Sequence, residues 1–571
     1  MKKTFKRLGA VLLAAFMLLS TTICALADDN PQATTPTTGK TITLNVSNVN
    51  DGDTVSAYKL VSYNDNGNGY KFFDGDGTKK GFKTYIESQS DIGEKTAEQY
   101  LAGLKAAGVN KLLEGYATEC NKADAAYTLP TEPPAVTTVT AANSKATLTL
   151  EAGYYLLLTK TASTNNRVYT PLSAFIQMDG DTLVVHAGDS TLTEQDSAYT
   201  VSAKSAKGPT IDKKTNATKG SGDATWKKTA AAGVGETVRF YVAVNIPAYN
   251  NVSALNLTVN DTLTNLKYTE GSVKVYEDEP DAKGNNTSKT EINNAIEDTI
   301  VGEYESGKQD LIFKLDYGKI MQNSSQAKTV YVYYEATMQK EAVTGDNHQG
   351  ANVATLTYSN AVNPDSTYTT NKKETNVYTY HLQVNKKKGG QDASLKGAKF
   401  SVYTKEASDE PLPFVKVKEN DGTEYYRLAV KGDDEDSKVT KIEADFQIRG
   451  LDANTYYLEE VVTPQGYYAP AGRFQVVLTS KFNDNDGTHT GRLDGTTSKM
   501  TAVNPKDDNL IVPGSTIDTD KLHQFNAGIN NFSTPNLPTT GGTGTVLLSI
   551  GGVVLMAAGA YLLFFRKKKE N

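Results

Sequence analysis

The chain runs to 571 residues, room for three or four folded units, and its 59 basic and 66 acidic side chains leave a net charge of −7. That balance offers no basic surplus for phosphates and excludes nucleic acid as a partner. Two cysteines and five scattered histidines (His186, His348, His381, His489, His523) form no pair at ligand spacing, so neither a metal nor another cofactor is expected.

Residues 1–27 read as a secretory signal. Lys2, Lys3, Lys6 and Arg7 form the positive region, Val11 to Leu19 the apolar one, and Ala25-Leu26-Ala27 the small-residue cleavage site. Ile23 is too bulky for a lipobox around Cys24, so Cys24 leaves with the signal and Cys120 alone remains.

Three β units follow, in a composition of many tyrosines and threonines that favours strands. Residues 28–207 form an N-terminal unit with alternating runs at Thr41–Val46, Ala146–Leu150 and Tyr154–Leu158. One helical insertion is predicted there from Ala97, Tyr100, Leu101, Leu104 and Ala107, and the Pro-rich stretch Thr128–Thr140 reads as a connector. Residues 208–380 form a middle unit with strand runs at Thr237–Ile246, Leu255–Val259, Ser272–Tyr276, Leu311–Leu315, Thr329–Ala336 and Val353–Tyr358. Residues 381–532 repeat the scheme through His381–Lys386, Ala398–Tyr403, Tyr456–Glu460 and Arg473–Leu478. The fold class is therefore mainly β: three tandem immunoglobulin-like β-sandwiches in a rod. The Asn64–Gly69 and Asn483–Gly487 loops lack the spaced acids of a calcium loop and read as turns.

Residues 533–571 close the chain. Thr545 to Phe565 is uncharged, apolar and long enough to cross a bilayer, and Arg566-Lys567-Lys568-Lys569 keeps its far end cytoplasmic. Leu537-Pro538-Thr539-Thr540-Gly541 stands just before it. Pentapeptide, span and basic tail in this order resemble the cell-wall sorting signal of Gram-positive surface proteins. The resemblance implies that a sortase attacks the Thr540 carbonyl, releases Gly541 onward and passes the acyl group to an amine. It also implies a membrane association only before sorting, and peptidoglycan as an attachment point.

A secreted chain with one cysteine has no intrachain disulfide. Tyr456-Tyr457-Leu458-Glu459-Glu460, followed by Thr463-Pro464-Gln465-Gly466-Tyr467, resembles the YxLxETxAPxGY box of collagen-adhesin B-type domains in Gram-positive pilins. Val461 stands for the usual Thr and Thr463 for the usual Ala. The resemblance implies an autocatalytic isopeptide: Lys386 as nucleophile (Lys387 is the register alternative), Asn531 in the last strand as acceptor, and Glu460 as the promoting acid. Burial lowers a lysine pKa and raises that of a carboxyl, so a neutral amine can attack an amide polarised by a protonated acid, with loss of ammonia.

Pro209-Thr210-Ile211-Asp212-Lys213 and Asn352-Val353-Ala354-Thr355-Leu356-Thr357-Tyr358 are similar to the first and last motifs of the middle domain of pilus shaft subunits. They imply a second join between Lys213 and Asn352, promoted by Asp261. In the N-terminal unit, Ala57-Tyr58-Lys59 and Gly153-Tyr154-Tyr155-Leu156 also occur in such domains, without an assignable bond. A shaft subunit further needs a lysine that receives the next subunit's threonine. The usual WxxxVxVYPKN motif is absent, and Tyr199–Lys207 stands in its place with Lys204 and Lys207 as candidates.

The expectation is a sortase-processed structural subunit of a pilus on the surface of a Gram-positive bacterium. Its partners would be identical subunits head-to-tail, tip or basal minor pilins, and transiently the sortase. A monomeric wall-anchored adhesin of the same modules is the alternative. No nucleophile elbow or metal motif supports an enzyme.

Overall fold

The computed structural model describes residues 552–561 and 40–533, apart from 64–68, 74–78, 121–125, 132–135, 163–164, 180–181, 189, 196, 218–224, 250–254, 323–325, 344–348, 360–366, 485–488, 504–507 and 519–520. The secretory signal at 1–27, the Leu537–Gly541 pentapeptide, the basic tail and most of the apolar run 545–565 lie outside the described residues. So do nearly all of the 64–69 turn and most of the 483–487 turn. Residues 552–561 are helical, and no helix among the described residues is long and apolar enough to cross a membrane.

Strict alternation builds the N-terminal unit. Along Lys145–Glu151 every second side chain (Ala146, Leu148, Leu150) turns inward. This strand pairs antiparallel with Thr41–Ser47, which pairs parallel with Tyr199–Ser202 on its other side. The resulting three-stranded sheet packs on a larger one containing Thr54–Tyr63, Gly153–Lys160 and Leu172–Asp179. Both faces of Gly153–Lys160 are buried, because helices cover the outer face. Those helices number three among the described residues, Phe82–Glu87, Ala97–Ala102 and Ala106–Cys120, where the sequence predicted one stretch. A capping box between Thr96 and Gln99 starts the second helix and Gly103 ends it, so Leu104 lies between helices and Ala107 belongs to the third. The connector also ends differently: Val136–Thr140 is a strand paired with Thr54–Tyr58.

The middle unit is a two-sheet sandwich. One sheet carries Thr210–Ala217, Thr237–Ile246 and Lys328–Met338 side by side; the other carries Lys308–Asp316, Asn256–Thr264 and Gln349–Ser359. Their inward side chains form one apolar core of Val, Leu, Phe and Tyr. The C-terminal unit repeats this plan. Tyr380–Lys388 lies at the heart of a seven-stranded sheet, between Phe446–Leu451 and a parallel partner, Gln524–Asn531. Lys399–Tyr403, Thr455–Val462 and Phe474–Val477 form the facing sheet.

The units touch through specific contacts. Tyr358 Oη donates to Asn166 Oδ1 at 2.5 Å across the first junction. Gly208 lies against this pair, where a Cβ would stand 1.9 Å from both oxygens, so any larger residue would displace this hydrogen bond. At the second junction Val234, Val343 and Tyr425 form a small apolar cluster, and Val234 N donates to Gly450 O at 2.9 Å. Thr229 Oγ1 adds a 2.9 Å bond to Asp484.

Candidate functional site

Each predicted site residue of the middle and C-terminal units occupies an inward position of its strand. In Thr210–Ala217 the inward row is Ile211, Lys213, Thr215; in Asn256–Thr264 it is Leu257, Val259, Asp261, Leu263. In Gln349–Ser359 it includes Asn352, Ala354 and Leu356. The period-2 geometry of a strand therefore drives a lysine, an acid and an amide into an apolar core. Lys213 and Asn352 are 0% exposed and Asp261 is 2% exposed.

These three side chains meet between the sheets. Asp261 is opposite Ala354, so Asp261 and Asn352 are diagonal neighbours on one face. Lys213 comes from the opposite sheet, and its Nζ donates to Asp261 Oδ2 at 2.6 Å. Burial lowers the Lys213 pKa and raises that of Asp261, which favours the neutral amine beside the neutral acid. A residue that the sequence reading missed completes the cluster. Tyr334 Oη accepts from Lys213 Nζ at 2.6 Å and from Asn352 Nδ2 at 2.8 Å, and donates to Asp261 Oδ2 at 2.5 Å. Its strand reads Val330-x-Val332-x-Tyr334 with all three inward, but an inward tyrosine looks like ordinary core. Two buried oxygens, Asp261 Oδ1 and Asn352 Oδ1, have no hydrogen-bond partner.

The C-terminal cluster uses the same alternation with another layout. Leu382, Val384 and Lys386 point inward, as do Tyr456, Leu458 and Glu460 on the facing sheet and Ala527, Ile529 and Asn531 beside Lys386. Lys386 and Asn531, 145 residues apart, stand on adjacent parallel strands; Lys386 is level with Ile529 and lies diagonal to Asn531. Lys386 Nζ donates to Asn531 Oδ1 at 2.5 Å and lies 3.1 Å from Glu460 Oε2. Burial pushes the Lys386 pKa down to about 8, against the opposing pull of Glu460. Asn531 Nδ2 donates to Glu460 Oε1 at 2.6 Å. The acid thus receives the amide N–H, whereas the sequence reading had it donating to the carbonyl; the lysine ammonium takes that oxygen instead. Lys387, the register alternative, points outward to Asp392 at 2.8 Å.

The remaining predicted lysines are of other kinds. Lys59 is buried, yet its hydrogen-bond partner is the exposed Glu151 at 2.9 Å, and among the described residues no asparagine side chain bonds to it. Lys204 and Lys207 are both exposed at the first junction. Lys204 O accepts from Thr170 N, and Lys207 O accepts from Tyr249 Oη of the middle unit. Among the described residues no group of three or more His, Cys, Asp or Glu is placed to hold a metal.

Known proteins bear on both ends of this arrangement. Residues 533–571 match the family model of the LPXTG cell wall anchor motif. This is a wall-anchored surface protein. Residues 380–491 match a prealbumin-like fold domain, which covers Lys386 and Glu460 but ends before Asn531. No curated protein matches the sequence. Among solved structures, the T6 backbone pilin of serotype M6 Streptococcus pyogenes is similar over 87% of this chain and 99% of its own, at 17% identity and a TM-score of 0.43. The full-length major pilin SpaD from Corynebacterium diphtheriae is similar over 87% and 98%, at 15% identity and 0.39. BcpA, the major pilin subunit of Bacillus cereus, is similar over 87% and 100%, at 15% identity and 0.34.

Proposed function

We propose that this wall-anchored protein is the shaft subunit of a covalently polymerised pilus, stapled internally by Lys213–Asn352 and Lys386–Asn531 isopeptide bonds. The observation that carries the reading is the pair of buried lysine–acid–asparagine clusters, each linking the first strand of a sandwich to a strand near its end. A lysine whose proton is loosened by burial beside an amide in an apolar core becomes, once it sheds that proton, a nucleophile without a substrate other than that amide. A half-turn of the Asn531 amide exchanges Oδ1 and Nδ2, presenting the carbonyl oxygen to Glu460 and freeing Nζ to attack Cγ. Ammonia leaves once per bond; each acid acts in a single self-modification and the protein has no turnover.

A covalent tie between terminal strands is what a load-bearing subunit requires, since tension applied at the chain ends then meets a bond and not a hydrogen-bonded ladder. Polymerisation uses the sorting signal. Sortase carries the Thr540 acyl group to the Nζ of Lys204 or Lys207 on a neighbouring subunit, or at the base to a peptidoglycan amine. Both lysines are exposed on a short extended segment with backbone anchored on either side, an arrangement that presents an amine without mobile chain around it.

The test is a wall extract boiled in denaturant. A ladder of multimers is expected from the wild-type chain, and its collapse to wall-linked monomer when Lys204 and Lys207 are both replaced by Arg. A wild-type extract holding monomer alone would convert the reading to a singly anchored surface protein.

A further inference from the structure

The two clusters differ in what touches the leaving nitrogen. In the C-terminal unit one carboxyl spans the reacting pair: Glu460 Oε2 is 3.1 Å from Lys386 Nζ, and Oε1 accepts from Asn531 Nδ2 at 2.6 Å. In the middle unit Asp261 bonds the lysine and the Tyr334 hydroxyl, and not the amide nitrogen. The hydrogen bond of Asn352 Nδ2 goes to Tyr334 Oη, the same atom that accepts from Lys213 Nζ. In the middle unit a single phenol oxygen therefore bridges the attacking and the leaving nitrogen, whereas in the C-terminal unit the two nitrogens meet different oxygens of one carboxyl.

Building on the proposed Lys213–Asn352 join, we propose that Tyr334 is a catalytic residue of the middle unit, the proton relay from the attacking amine to the departing ammonia. The Nζ–Cγ bond forms as neutral Lys213 attacks Asn352, with the carboxyl proton of Asp261 supplied to Oδ1. In the resting amide Nδ2 donates to Oη, because its lone pair is delocalised. Once Cγ is tetrahedral that lone pair is localised and basic, so the bond reverses. Nζ gives one proton to Oη, Oη gives its own to Nδ2, the Cγ–Nδ2 bond breaks, and the proton on Oδ1 returns to Asp261. Lys–NH2 and Asn–CONH2 become Lys–NH–CO–Asn and NH3, with phenol and acid regenerated.

The surroundings suit this role. Tyr334 is 0% exposed, stacked on Phe240 at 5.6 Å and packed against Phe313 at 5.3 Å, so its oxygen has one direction in which to point. Burial holds the phenol well above its ordinary pKa, so it stays protonated and acts by exchanging one proton for another. A positioned relay of this kind contributes on the order of 100-fold or more to rate.

The experiment follows both joins in the full-length chain after pulse-labelled synthesis, by mapping crosslinked peptides over time. Tyr334→Phe keeps the ring contacts and removes the oxygen. Lys213–Asn352 joining is expected to slow at least about 100-fold, while Lys386–Asn531 joining in the same molecules keeps its wild-type rate. Equal rates in wild type and variant overturn the relay. Absence of the Lys213–Asn352 peptide from the wild type itself overturns the proposed join, a separate failure. Should the variant misfold, 3-fluorotyrosine placed at position 334 retains ring and oxygen and alters only phenol acidity. A changed joining rate, with a changed solvent deuterium isotope effect, supports the relay; no change in either overturns it.

Discussion

In the middle unit the lysine stands in one sheet and meets acid and amide across the core; in the C-terminal unit lysine and amide are strand neighbours and only the acid crosses. The layouts account for the acids. Lys213 spans the gap between sheets itself, so a short aspartate on the far side is within 2.6 Å of Nζ. Lys386 stays in its own sheet, 2.5 Å from its amide, and the facing residue must reach over with the longer glutamate. The same difference accounts for the place of Tyr334: Asp261 bonds Lys213 Nζ and not Asn352 Nδ2, and a phenol from the lysine's own sheet bonds both nitrogens. Sequence neighbours do not define such a site. The choice of sheet for the amide does.

The sharpest way to break the comparison is to remove one acid at a time. Intact mass of the chain from Asp28 to Asn536 should fall about 34 Da below the sequence value, about 17 Da for each ammonia lost. Asp261→Ala should restore about 17 Da and abolish the Lys213 crosslink alone; Glu460→Ala should do the same for Lys386. Each lost bond opens a closed loop of well over 100 residues, worth about 5 kcal/mol by analogy with disulfides, read as a lower unfolding midpoint of that unit. A full-weight wild-type chain would remove the stapling mechanism from both units together.

Much of this was legible in one dimension. Leu382-x-Val384-x-Lys386, Tyr456-x-Leu458-x-Glu460 and Val259-x-Asp261-x-Leu263 each set a charged residue in the apolar phase of an alternating strand, and a charge in that phase is a site or a defect. Strand bounds were legible unevenly: Thr237–Ile246 matches residue for residue, while Leu255–Val259 stops short of the observed Asn256–Thr264 and Ser272–Tyr276 starts two residues early. Tyr334 was not legible, because tyrosine fits the apolar phase without conflict. Helix count failed for a local reason: one amphipathic period runs from Ala97 to Ala107, across Gly103 where one helix ends and into the next, which begins at Ala106. Nor could spacing decide that Asn531 turns its nitrogen toward Glu460, since both amide ends are polar and only the lysine's reach assigns them.

A smaller effect distinguishes a buried lysine from a bonded one. In Asn531→Ala, which cannot close the join, Lys386 keeps its proton up to about 8 in the folded state and up to 10.5 when unfolded. Between these values the unfolded chain binds more protons, so stability rises with pH; below about 8 both states are protonated and the contribution is at its minimum. Urea unfolding at pH 7.5 and 10.5 should show a gain of roughly 3 kcal/mol over the reference Lys386→Met/Asn531→Ala. The wild-type amide nitrogen does not titrate, so the closed C-terminal unit should lack this rise. A rise of equal size in wild type would mean that Lys386 is free.

The least effect is expected one residue away, and it tests register more than strength. Lys387 follows Lys386 in the same strand but faces solvent, with its ammonium 2.8 Å from Asp392. Alternation makes the two lysines chemically unlike despite being adjacent: one loses its water and is pushed toward neutrality, the other keeps both its water and its charge. Lys387→Ala should therefore leave the mass deficit and the Lys386–Asn531 peptide intact. Lys386→Ala should remove them even with Lys387 present, because reaching Asn531 from position 387 would require the strand to turn over, moving Leu382 and Val384 out of the core. If Lys387 instead appeared in the crosslinked peptide, the strand would have slipped by one residue, and the facing positions of Glu460 and Asn531 would have to be redrawn with it.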